Sequence, residues 1–184
     1  MNAKANVKRL TSMAVMTAVS IVLVTLIHFP IIPAASFLEY DPADIPILLT
    51  ALIFGPLAGL AVTVAASLIQ GLTVSSASGM YGVLMHILAT GAYVLMTGIL
   101  NKKLGKRPWG NIVSVAAGCA AMLLVMIPAN LIITPIFMNT PVDAVKQMLL
   151  PAIIPFNLIK AGINGAAAVI IYKSLTASKI IKFD

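Results

Sequence analysis

Lys160 stands in a long apolar stretch with mostly apolar chain on either side, so its ammonium is placed at membrane depth. Burying a charge there costs about 2.5 to 3.5 kcal/mol, a cost rarely carried without use. The bland alternative is snorkelling, but the outer end of the segment is about three helical turns away. Asn157, three residues earlier, shares its helical face. Asn130 lies at comparable depth on the preceding span, just after Pro128. One ammonium donor and two amides that both give and accept suit a planar, uracil-like ligand edge with alternating C=O and N–H groups. Either asparagine alone could be interhelical glue.

A second group lies in the loop and segment FLEYDPADIPILLTALIFGP, residues 37–56, where Glu39, Asp41 and Asp44 make up three of five acidic residues. Asp41-Pro42 reads as a turn initiator, and Asp44 occupies the position of a helix N-cap, with Pro46 in the first turn. Glu39, Tyr40 and Asp41 precede that cap, where a loop can fold over a cavity mouth. Carboxylates there bind hydroxyls and repel phosphate, and Tyr40 can lie over an aromatic ring. The inferred ligand is neutral, hydroxylated and partly aromatic.

These residues are carried by an all-α integral membrane protein. The 184 residues are 60% hydrophobic and 9% charged, and several stretches near the roughly 20 residues a span needs recur along the chain. Residues 1–184 are read as a single transmembrane domain. The net charge of +7 comes from basic residues at the ends of apolar segments, which set topology and meet lipid headgroups. Residues 8–28 form a retained first helix, longer than the core of a signal peptide. The apolar run 45–72 is too long for one span, and Gly55-Pro56 breaks it into a short helix 2 (45–54) and a helix 3 (56–74). The split keeps Lys102, Lys103, Lys106 and Arg107 cytoplasmic, so charge parity favours six membrane helices over five. Helices 4, 5 and 6 span residues 81–100, 111–133 and 147–175, with Asp143 and Lys146 in an external loop and a basic tail at the end. Of twelve lysines and arginines, only Lys146 and Lys160 fall off the cytoplasmic side, which places both termini in the cytoplasm.

Other chemistries lack their residues. There is no G-x-x-x-x-G-K-S/T phosphate loop. His28 and His86 have no metal-ligand spacing. Ser78-Gly79 with His86 does not meet the pattern of an intramembrane serine protease, because Ser76 stands where glycine is expected. Cys119, the one cysteine, reads as a small residue in an apolar run. Ala14 and Ala18, with Ser20 beyond them, make a small-residue stripe on helix 1.

Across essentially its whole length the chain resembles the substrate-binding subunits (S components) of energy-coupling factor vitamin transporters, and is most similar to their riboflavin-specific type. Leu38-Glu39-Tyr40-Asp41-Pro42-Ala43-Asp44-Ile45-Pro46, Phe54-Gly55-Pro56 with Gly59, and Pro155-Phe156-Asn157-Leu158-Ile159-Lys160 with Asn164 carry the resemblance. It implies six membrane helices in a bacterial plasma membrane and a vitamin pocket near the outer face, formed by the first loop and helices 4 to 6. Glu39, Tyr40, Asp41, Asn130, Asn157, Lys160 and Asn164 would bind substrate, and Ala14 and Ala18 would dock a membrane scaffold (T) subunit. Two ATP-binding-cassette ATPases would supply the energy by tipping the subunit over in the membrane. No catalytic residue, metal or cofactor is implied; riboflavin would be the transported ligand. The rivals are an S component for another vitamin, for FMN or for a queuosine-type precursor, and a small membrane-embedded enzyme.

Overall fold

The computed structural model describes residues 3–178. Its helices are α1 (Ala3–Leu26), α2 (Asp44–Phe54), α3 (Pro56–Leu72), α4 (Gly79–Leu104), α5 (Gly110–Met138), α6 (Val142–Met148) and α7 (Ile154–Ala177), with a π-helical turn, Leu149–Ile153, joining the last two. Within the first loop, β1 (Phe29–Pro30) pairs antiparallel with β2 (Glu39–Tyr40), Phe29 opposite Tyr40 and Pro30 opposite Glu39. The expected basic tail lies, from residue 179 on, outside the described residues.

Among the described residues, four helical stretches are long and apolar enough to cross a membrane: Ala5–Leu26, Gly79–Leu104, Gly110–Met138 and the continuous Val142–Ala177. The two helices between them are shorter. At about 1.5 Å per residue, α2 and α3 rise about 16 and 26 Å, against a hydrocarbon core of about 30 Å. The break between them falls where the sequence places it. Gly55 has φ +91°, a backbone open to glycine, and Pro56 starts α3 as a first-turn proline whose missing N–H leaves no gap.

Ending α2 inside an apolar bundle leaves carbonyls that need donors. Three of them have one: Gly55 N–H donates to Ala51 O at 3.0 Å, Asn101 Nδ2 to Leu52 O at 3.1 Å and Arg9 Nη2 to Phe54 O at 3.2 Å. Gly98 of α4 lies against this break, with Pro56 N only 2.6 Å from where a Cβ would stand.

The core runs between α2, α3, α4, α5 and α7 and includes Ile47, Leu48, Val62, Val94 and Met122 around Tyr93. Tyr93 is fully buried and donates to Ala161 O on α7 at 2.8 Å. A smaller cluster seats the first loop: Ala35 and Leu38 pack with Val145, Ile153 and Phe156 of the α6–α7 region. Helix α1 is the least buried span. Ser20 is buried and donates to Ala43 O at 3.0 Å, whereas Ala14 and Ala18 are exposed, so Ser20 does not belong to their stripe.

The segment expected to be an external loop around Asp143 and Lys146 is helical. The two residues pair across one turn of α6 at 2.7 Å. Solvent on both sides limits what the pair adds to stability.

Candidate functional site

Asp41 organises the end of the first loop. Its Oδ1 accepts the Ala43 N–H at 3.0 Å, closing a turn of the Asx kind, and its Oδ2 accepts from Lys160 Nζ at 2.6 Å. The two side chains are 14% and 11% exposed, so the ammonium buried on α7 meets its counter-charge on the loop. Tyr40 and Asn164 add a second fastening: the phenol donates to Asn164 Oδ1 at 3.1 Å, and Asn164 Nδ2 donates to the Asp41 carbonyl at 2.9 Å. Burial first, and then the Asp41 carboxylate, raise the Tyr40 phenol above its ordinary pKa, which keeps its proton available for this bond.

Asp44 corrects the sequence expectation. It is the first residue of α2, with no side-chain cap bond at that terminus. Its carboxylate is fully buried and turns to α4, where Thr90 Oγ1 donates to Oδ1 at 2.8 Å and His86 Nε2 lies 3.2 Å from the same oxygen. The helix dipole still favours an anion at this end, but interhelical donors decide its direction. His86 is therefore not isolated. Its Nδ1 lies 2.9 Å from Ser67 Oγ on α3, and Ser67 is also 2.7 Å from the Thr63 carbonyl. Ser67 has one hydroxyl hydrogen for two acceptors. With His86 neutral and protonated on Nε2, that hydrogen serves Nδ1; with imidazolium it serves Thr63, and Nδ1–H donates to Ser67 instead.

Asp41, Ser67, His86, Thr90 and Lys160 among these residues line a cavity of about 880 Å³, its open mouth included. It lies at the end of the bundle opposite the basic loop between α4 and α5. Glu39, Asp41, Asn157 and Lys160 line it, with Phe37, Met122, Met126 and Phe156 as apolar surface. The other wall is polar: Ser67 and Gln70 from α3, His86 and Thr90 from α4, and Ser75 and Ser78 from the connection between them. Asn130 lines an adjoining, more apolar pocket of about 430 Å³ with Tyr81, Met85 and Phe137.

Of the seven residues singled out from the sequence, four therefore face the main cavity and Asn130 faces its neighbour. Tyr40 and Asn164 fasten the loop to α7. The α3–α4 wall was missed, although two signals pointed to it: Ser67 with Gln70, and His86 with Thr90, are polar pairs at helical spacing in apolar segments.

The amide groups are partly committed. Asn157 Nδ2 donates to Ile153 O at 2.8 Å, and Asn130 Nδ2 donates to Met126 O at 2.8 Å while its Oδ1 accepts from Thr134 at 3.0 Å. Lys160 gives one of its three hydrogens to Asp41. Among the described residues no cluster of His, Cys, Asp or Glu is arranged to hold a metal. The arrangement is a cavity with an ammonium, amides and carboxylates on its wall beside apolar surface.

Residues 8–172 match the family of ECF transporter substrate-specific components. The chain is 33% identical over 162 residues to the riboflavin transporter FmnP of Bacillus subtilis, covering 84% of each chain. It is 28% identical over 178 residues to the riboflavin transporter RibU of Streptococcus thermophilus, covering 92% of this chain and 83% of the relative. A solved S component of a bacterial ECF transporter superposes with a TM-score of 0.79 at 28% identity, over 94% of this chain and 97% of that one. The chain belongs to the family of substrate-specific components of ECF transporters, and it is a multi-pass membrane transport subunit with no enzymatic role.

Proposed function

We propose that this protein is the high-affinity riboflavin-binding subunit of an ECF uptake transporter. The observation that carries the reading is Lys160, held at the cavity wall by Asp41 with Asn157 one turn away on the same helix. After its bond to Asp41 the ammonium keeps two hydrogens for ring carbonyls. Asn157 keeps its Oδ1 and one N–H, which match the N–H and carbonyl of a uracil-like edge. Glu39 at the mouth suits ligand hydroxyls and opposes a phosphate group, whereas the Asp41 charge is matched by Lys160. The relatives' names agree with a riboflavin cargo.

Tyr40 and Asn164 keep the loop seated over the ligand, and Asn130 closes the side of the site through the adjoining pocket. The chain forms one membrane domain of six membrane helices, the short α2 among them, with both termini in the cytoplasm and the cavity facing outward. The exposed Ala14 and Ala18 of α1 present the flat stripe on which a membrane scaffold subunit packs, and two partner ATPases energise the complex.

Titration of the purified protein, followed by quenching of flavin fluorescence, tests the cargo. Affinity no tighter than about 1 mM, roughly −4 kcal/mol, would remove riboflavin. Lys160→Ala is expected to weaken binding by roughly 1.5 to 3 kcal/mol, as for a hydrogen bond to a charged group.

A further inference from the structure

The polar wall of α3 and α4 has no task in the reading above. Gln70 sits in the last turn of α3, where its carbonyl accepts from the backbone N–H groups of Thr73 at 3.1 Å and Ser75 at 2.9 Å. The residue is 7% exposed and lines the main cavity, and its Nε2 is buried without a hydrogen-bond partner. Buried amide donors are ordinarily paired, because leaving one unmade forfeits its hydration. Ser67 is one turn earlier on the same face, its hydroxyl shared between Thr63 and His86. The opposite side of the cavity carries Asn157 and Lys160. A ligand whose ring edge meets those two extends its remainder across the cavity toward an unpaired donor and a hydroxyl.

We infer that Gln70 and Ser67 form a second polar subsite that takes the hydroxylated side chain of the bound ligand, with Gln70 Nε2 donating to a ligand hydroxyl oxygen and Ser67 bonding a neighbouring one. The subsite rests on the riboflavin reading and adds what that reading lacks: recognition of the polyol as distinct from the ring. It makes the α3–α4 wall a determinant of specificity.

The test compares two probes, riboflavin and lumiflavin, in which a methyl group replaces the polyol on the same ring. The unaltered protein is expected to bind riboflavin more tightly. Gln70→Met, which keeps the length of the side chain without its N–H groups, is expected to weaken riboflavin on the order of tenfold and leave lumiflavin unchanged. Retained lumiflavin binding shows that the variant is folded. If Gln70→Met does not fold, Gln70→Asn, which keeps the amide and shortens its reach, is expected to give the same selective loss. Equal weakening of both probes, or no weakening of riboflavin, overturns the subsite while leaving the riboflavin reading in place. Failure of the unaltered protein to bind either probe overturns both.

Discussion

Lys160 Nζ donates to Asp41 Oδ2 across 2.6 Å, joining two residues 119 positions apart in the chain. The bond ties the loop to the helix that carries Asn157 at the cavity wall, and it supplies the buried ammonium with a counter-charge from the loop. A charge of either sign left alone at this depth has a large desolvation penalty.

Removing one partner is therefore expected to cost more than removing both. Asp41→Asn or Lys160→Met alone should each lower stability by about 3 kcal/mol, and the double substitution should recover part of that loss. Thermal unfolding of the four proteins in detergent measures the coupling. Additive losses would mean that the pair does not interact.

The Tyr40–Asn164 bond is the weaker fastening of the same loop. Tyr40→Phe should cost about 1 kcal/mol of closed state, roughly a fivefold faster release of bound ligand in a stopped-flow chase. Because burial raises the phenol's pKa, this contribution is intact below the ordinary tyrosine value of 10.0 and is lost as pH rises through the higher folded value. The phenylalanine variant should lack that alkaline loss.

Asp44 receives Thr90 at 2.8 Å and faces His86 at 3.2 Å with no exposure to solvent. Asp44→Asn turns part of an acceptor into a donor facing other donors, and should destabilise the protein by about 2 kcal/mol or more. A melting temperature equal to that of the parent would show that α2 and α4 are not held together there.

Close packing at the helix break gives a fourth expectation. Gly98→Ala would set a methyl group 2.6 Å from Pro56 N and 2.7 Å from Pro56 Cα, backbone atoms with no rotamer to move to. The expected loss is about 1 to 3 kcal/mol. Gly162→Ala meets nothing within 4 Å and serves as the neutral control. Both are read by thermal unfolding, and equal melting would contradict the tight approach of α4 to the Gly55–Pro56 turn.

The sequence by itself determined the solvent of this protein, the position of its helix break and one face of its site. Hydrophobic length demanded a membrane, charge parity together with Gly55-Pro56 placed the break, and the three-residue spacing of Asn157 and Lys160 put both on one side of a helix. Each of these is local, set by periodicity or by the conformational limits of one or two residues. Only the tertiary structure decided what faces them. Asp41 reaches Lys160, Asp44 turns from its own helix end to His86 and Thr90, Tyr40 reaches Asn164 124 positions away, and Gln70 is left unpaired at the cavity wall. Helical periodicity names the residues that share a face. Which element lies opposite that face, and whether a polar atom finds a partner there, depends on how the helices rotate and dock against one another.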